Sequence, residues 1–183
     1  MSDLTKLIAP SFYGVHHDIK AGRHTHYWLK GGRGSTKSSF ISVEIILGMM
    51  QDTAANALVL RKVAVNLKDS VYEQLLWAIE ALGVEHLWKA KLSPLQLSYI
   101  PTGQRILFRG ADEPKKIKST KFRKGYCKYI WYEEADEFAG MQEIRTINQS
   151  LMRGGSSFFV FYSYNPPKSQ SNWVNRECLQ PKA

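Results

Sequence analysis

The feature that most constrains this chain is a glycine-rich bridge between two apolar runs, YWLKGGRGSTKSSFISVEIIL at residues 27–47. The aromatic run before it, HTHYWLK (24–30), is bounded by glycine and predicts a short buried strand. The run after it, Ser38 to Met50, is apolar almost all round and predicts a buried helix. Between them, Gly31 to Ser38 reads G-G-R-G-S-T-K-S. This matches the phosphate-binding pattern G-x-x-x-x-G-K-[ST], with Thr36 in place of the second glycine. Gly31, Gly32 and Gly34, with Ser35 and Thr36, would let backbone N–H groups turn inward on one anion. The helix starting near Thr36 would add its positive end. In such a loop Lys37 reaches the β- and γ-phosphates of ATP, and Ser38 holds Mg²⁺. The competing reading is a flexible glycine loop with an incidental Lys-Ser pair. Arg33 is open in the same way: it neutralises charge at the γ-phosphate in cis, or it points to solvent or pairs with a nearby acid.

A chain of 183 residues with 44% hydrophobic residues is sufficient for one domain with a full core. Its two cysteines, Cys127 and Cys178, give neither a disulfide framework nor metal-ligand spacing. No apolar run approaches membrane-spanning length and no signal peptide is evident, so no membrane partner is expected. Lys and Arg number 25 against 16 Asp and Glu, a formal +9, which suits a polyanionic partner as well as it suits a lysine-rich surface. The positive charge is uneven: PKKIKSTKFRKGYCK (114–128) has no acidic residue and reads as a basic loop.

Beyond the loop, NALVLRK (56–62) predicts a second buried strand, and Asn66 to Leu82 carries a helical stripe of Leu67, Val71, Leu75, Ile79 and Leu82. Asn66 is placed to cap that helix and Gly83 to end it. LQLSYIPTGQRILFRG (95–110) predicts a β-hairpin around Pro-Thr-Gly. CKYIWYEEADEF (127–138) predicts a strand ending in acids, QEIRTINQSLMR (142–153) a helix, and SFFVFYSYNPP (157–167) a strand stopped by prolines. The region up to about Ala21 reads as an irregular approach or a short helix. Strands alternating with helices, plus one hairpin, predict an α/β fold with a mainly parallel central sheet flanked by helices.

Two strand tips add to the loop. Glu133 and Glu134 end an apolar strand downstream of it. In a phosphate-loop ATPase the first acid orients the metal with the loop hydroxyl, and the second polarises the attacking water. Glu133 stands where Asp is usual. Ser163 or Asn165, at the tip of the last strand, could hydrogen-bond the γ-phosphate or the catalytic water.

In this order, GGRGSTKS, LVLRK, SPLQLSYIPTGQRILFRG, KIKS, IWYEEADEF and YSYNPP resemble the ATPase domain of the large terminase subunit of tailed bacteriophages, close to the prophage-type family. The resemblance covers nearly the whole chain. It implies a phosphate-loop NTPase fold and a Mg-dependent ATPase that drives double-stranded DNA into a procapsid. By the family pattern Lys37 and Ser38 bind Mg-ATP, Arg33 is the loop arginine, Glu134 the catalytic carboxylate and Ser163-Tyr164-Asn165 the coupling motif. Phe12 to Ile19 resembles the adenine-binding segment. The implied partners are DNA, a terminase small subunit, the portal of the procapsid and further copies of the chain in a ring, in the cytoplasm of the bacterial host. An isolated chain is expected to be a monomer. Arg123, in the basic loop, could reach a neighbour's γ-phosphate as an arginine finger in trans. The family's C-terminal nuclease domain has no counterpart in these residues, so no DNA cleavage is expected of them. Two other readings remain: a helicase- or recombinase-like ATPase, and a nucleotide-binding, DNA-binding module without turnover.

Overall fold

A computed structural model describes residues 3–33 and 35–179. Gly34, one of the loop glycines named above, lies outside the described residues. The chain opens with α1 (Leu4–Leu7), a 3₁₀ turn (Pro10–Phe12) and α2 (Tyr13–Ala21). Strand β1 (His26–Lys30) leads through the glycine loop into α3 (Lys37–Gln51), and β2 (Ala55–Arg61) follows. After α4 (Glu73–Ala81) come β3 (Trp88–Leu92), β4 (Leu95–Tyr99) and β5 (Gln104–Gly110). The chain then runs through α5 (Pro114–Lys118), β6 (Tyr126–Glu133), α6 (Met141–Leu151), β7 (Phe159–Tyr164) and α7 (Trp173–Leu179).

The strands form one sheet in the order β1-β7-β6-β2-β5-β4-β3. Pairing is parallel from β1 to β5 and antiparallel across β5, β4 and β3. The central strands are apolar at nearly every position because helices cover both faces. Their two-residue period divides the core. Ala57 and Val59 of β2, Tyr129 and Trp131 of β6, and Phe159 and Phe161 of β7 pack on one side with α2, α3 and α4. Leu58 and Leu60, Ile130 and Tyr132, and Val160 and Tyr162 pack on the other with α6 and α7. By the same period Glu133 and Ser163 point toward α3, the helix that follows the glycine loop.

The expected strands and the mainly parallel sheet are present, and the hairpin closes as β4–β5. Three details differ. A further edge strand, β3, pairs with β4; its exposed Lys89 and Lys91 mask the alternation and also discourage edge-to-edge pairing. Asn66 does not cap a helix through its side chain. It sits in a 3₁₀ turn, its carbonyl accepts from Ser70 Oγ at 2.6 Å, and a π-helical turn (Lys68–Tyr72) precedes α4. The expected basic loop contains α5. Gly83 ends α4 as expected, at φ +70°, and Val84 N–H donates to Ile79 C=O. No helix among the described residues is long and apolar enough to cross a membrane.

The entry to β6 depends on Gly125. It lies at φ +70°, and a Cβ there would stand 2.0 Å from the Ala54 carbonyl oxygen, which accepts the Tyr126 N–H. Gly83 shares the φ, but nothing lies within 4 Å of its Cβ position. Gly83→Ala is expected to cost about 1 kcal/mol for the left-handed backbone alone. Gly125→Ala is expected to cost at least about 2 kcal/mol, because overlap with backbone adds to that cost. Denaturant melts of the two variants check the difference.

Candidate functional site

The parallel strands β1, β6 and β7 end on one rim of the sheet, and α3 begins there. The glycine loop crosses that rim. Gly31 N–H donates to the Tyr164 carbonyl at 3.2 Å, tying the loop to the tip of β7. Ser35 folds back over Gly31 so closely that a Cβ on Gly31 would lie 2.7 Å from Ser35 Oγ. Thr36, standing where the phosphate-loop pattern has glycine, takes the left-handed conformation glycine would take (φ 63°, ψ 15°). Its hydroxyl donates to Ser35 C=O at 2.6 Å and does not cap α3. The leading N–H groups of α3 therefore have no side-chain acceptor and open onto a cleft of about 290 Å³.

Lys37 lies across this cleft. Its ammonium donates to Gly31 C=O (2.8 Å), Gly32 C=O (3.3 Å), Ser35 Oγ (2.9 Å) and Asn165 Oδ1 (3.1 Å). Burial holds its pKa below the ordinary lysine value, outweighing the opposing pull of Glu133 and Glu134. Ser38 Oγ lies 3.3 Å from both oxygens of Glu133, at the tip of β6. Ser163 Oγ, on β7, donates to Glu133 Oε2 at 2.7 Å and accepts from Trp131 Nε1 at 2.9 Å. Ser163 and Asn165 both line the cleft; Ser163 contacts Glu133, and Asn165 contacts Lys37.

Glu134 follows Glu133 in the left-handed region (φ 52°, ψ 53°), which turns it out of the strand. This conformation is uncommon for a residue with a side chain, and such positions concentrate at functional sites. Burial raises the pKa of both glutamates above the carboxylate range. At Glu133 the charge of Glu134 adds to the rise, and at Glu134 the charges of Asp136 and Glu137 do so. Arg61, at the tip of β2, pulls both back down. Its guanidinium lies 3.6 Å from Glu137, and its buried Nε has no hydrogen-bond partner among the described residues. Sequence reasoning passed over Arg61. Its position at the end of LVLRK, one strand from the acids, is the signal that could have found it. Gln74, at the start of α4, also lines the cleft and lies 3.5 Å from Ser42 Oγ.

Arg33 lines the cleft and is exposed, with no ion pair among the described residues. Arg123 lies elsewhere. It precedes β6, whereas Glu133 ends it, so the length of that strand, about 25 Å, separates Arg123 from its own cleft. Phe12 stacks on Phe40 of α3 with centroids 4.7 Å apart, and His16 contacts the buried Glu44, so the Phe12–Ile19 segment packs directly against α3.

The donor set suits a metal-bound polyphosphate. No cluster of three or more His, Cys, Asp or Glu that could hold a metal alone occurs among the described residues. Ser38 and Glu133 offer one hydroxyl and one carboxylate. This matches Mg²⁺, which keeps several waters and takes its remaining oxygens from phosphate.

The family model for the phage terminase large subunit matches residues 23–183. The terminase large subunit of Bacillus phage SPP1 is 45% identical over 177 residues, covering 94% of this chain and 42% of that protein. The PBSX phage terminase large subunit of Bacillus subtilis is 35% identical over 158 residues, covering 85% of this chain and 34% of that protein. The chain thus spans less than half the length of either relative. Among solved structures, the HK97 bacteriophage large terminase superposes with a TM-score of 0.68 at 12% identity, covering 91% of this chain and 35% of that one. The N-terminal domain of the DNA packaging ATPase from bacteriophage phi29 superposes with a TM-score of 0.67 at 11% identity, covering 94% and 88%. At such identities these two matches show a shared fold. With the family model and the two relatives agreeing over most of its length, this chain belongs to the phage terminase large subunit family.

Proposed function

We propose that this chain is a phosphate-loop NTPase, the Mg-dependent ATP-hydrolysing motor domain of a terminase that drives double-stranded DNA into a procapsid. The observation that carries the reading is the convergence of Lys37, Ser38, Glu133 and Glu134 on one cleft at the start of α3. When bound, Mg-ATP supplies the phosphoanhydride bond and the cation that neutralises its charge. The N–H groups at the start of α3 and the ammonium of Lys37 hold the phosphates. Ser38 and Glu133 hold the metal, the carboxylate being fixed by Ser163. Glu134 accepts the proton of the attacking water, which requires it ionised. Asn165 ties Lys37 to β7, so a change at the phosphates is transmitted to that strand. The partners proposed are those of the family: DNA, a small subunit, the portal and neighbouring copies in a ring, in the host cytoplasm.

Lys37→Ala removes a charge-assisted contact worth about 1.5–3 kcal/mol, so ATP affinity should fall roughly 10- to 150-fold. Equal affinities of wild type and Lys37→Ala by titration calorimetry would overturn the loop reading.

Glu134→Gln should abolish hydrolysis while ATP still binds. The raised pKa of Glu134 sets a sign as well. A folded-state pKa above the unfolded value means stability is lost as pH rises through the folded pKa. Without nucleotide, Glu134→Gln should therefore melt higher than wild type at pH 8, and the gap should close on acidification toward pH 4. In wild type the acid limb of kcat/KM, which reports the free enzyme, should be displaced upward from the ordinary carboxylate position. A variant that melts no higher at pH 8 and turns over normally counts against the assignment.

Arg123 can serve only another chain's cleft. Mixing Arg123→Ala with Glu134→Gln in the assembled motor should restore ATP turnover, because a Glu134→Gln subunit can lend its intact Arg123 to the cleft of an Arg123→Ala neighbour whose Glu134 is intact. A mixture that assembles but stays inactive leaves Arg33 as the arginine at the γ-phosphate.

A further inference from the structure

The crossover from β5 to β6, residues 111–125, descends one face of the sheet from the cleft rim to the opposite rim. Its inward side is anchored. Ile117 and Thr120 are buried, and Phe122 packs on the same core cluster. The backbone is held from outside the segment as well. Arg105 donates to Lys121 C=O at 2.8 Å, Arg153 to Thr120 C=O at 3.5 Å, and Asn56 to Lys124 C=O at 2.9 Å. Beyond Asp112 and Glu113 at its start, its exposed charges are all cationic: Lys115, Lys116, Lys118, Lys121, Arg123 and Lys124. Only Lys116 has a carboxylate partner among the described residues, Glu113 at 2.8 Å. Lys115, Lys118, Lys121 and Lys124 recur every third residue.

From this arrangement we infer that the Lys115–Lys124 stripe is a docking surface for the phosphate backbone of double-stranded DNA. The choice of duplex DNA rests on the motor reading above; the polyanion character rests on the stripe itself. A rigid backbone presents the charges in fixed order, and no carboxylate lies between them. By backbone rise alone, residues three apart fall roughly 5–10 Å from one another, the span of one to three phosphates on a strand that carries one per about 3.4 Å of axis. The stripe has no exposed aromatic platform on which unpaired bases would stack; Phe122 is turned inward beneath the Arg105 guanidinium, 5.6 Å away. Nor does it have the apolar centre of a protein interface. Lysines act as point charges without fork geometry, so they grip phosphate without reading sequence. A translocating motor needs that property.

The test compares Lys115, Lys118, Lys121 and Lys124 changed together to Gln with a control of equal charge change, Lys6, Lys20, Lys89 and Lys91 to Gln. Binding to a random-sequence duplex is measured without nucleotide across a salt series. Each phosphate contact contributes about 0.9 to the slope of log K against log salt, so the stripe variant should lose roughly 2–4 in slope and at least about tenfold in low-salt affinity. The control should lose little of either. Equal losses in both variants, or none in the stripe variant, would overturn the inference. So would tighter binding of single strands than of duplex by wild type. Loss of self-association with duplex binding intact would likewise overturn it, making the stripe a contact between copies. ATP turnover without DNA should be unchanged in the stripe variant, which verifies its fold. Because duplex binding is read without nucleotide, failure of the ATPase reading and failure of the stripe remain distinguishable.

Discussion

Everything at the cleft depends on how one partly buried carboxylate is held. Glu133 ends β6 directly opposite Ser163 of β7 in a parallel register, and both project toward the first turn of α3. The Ser163 hydroxyl, itself fixed by the indole of Trp131, reaches Glu133 from the sheet, and Ser38 reaches it from the helix. Three elements distant in sequence therefore meet on two oxygens. A register slip of one residue would turn Glu133 and Ser163 to the opposite face and dissolve the arrangement. The unbroken apolar character of β6 and β7 prevents such a slip, because Trp131 and Phe161 belong to one core and Tyr132 and Tyr162 to the other.

Holding these acids together works against stability. Burial and mutual repulsion raise the pKa of Glu133, Glu134 and Asp136; Arg61 opposes this from the neighbouring strand, and Lys37 does so at Glu134. Two residues with side chains, Thr36 and Glu134, occupy left-handed backbone at the two edges of the cleft. Such a cost persists only where surrounding structure over-determines it. At Thr36 the constraint comes from the loop closing between Tyr164 and α3; at Glu134 it comes from the turn that leaves β6.

How much of this was legible in the sequence follows from where each signal lies. The strands and α3 could be read because both faces of the sheet are covered, which leaves long apolar runs bounded by Gly, Pro and acids. That Lys37, Ser38, Glu133 and Glu134 share one cleft could be anticipated because loop chemistry and strand tips are local patterns. What Ser163 and Asn165 touch could not be read, since it depends on pairing between β6, β7 and β1. Arg61 was missed for the same reason: its neighbours are acids more than seventy positions away in the chain, brought close by the β2–β6 pairing. The β3 strand was hidden by its own edge lysines. Asn66 looked like a cap by residue type, but the π-helical turn after it uses a different local hydrogen bond.

The arrangement of charge then explains how a protein with a formal +9 can keep an acidic cluster at its cleft. The acids are confined to one rim, where β6 ends, while much of the surplus cation lies along the crossover that leads down to where β6 begins. The strand that carries Glu133 at one end thus carries the basic approach at the other, and its buried middle holds the two ends at a fixed separation. Any movement of β6 or β7 caused at the cleft must be passed on through packed aromatic rings, Tyr132 against Tyr162 and Tyr129 against Phe159, because a close-packed interior does not absorb displacement locally. If the cleft takes a nucleotide and the stripe a polyanion, as proposed above, a rigid sheet joining the two rims would give a physical basis for coupling one to the other.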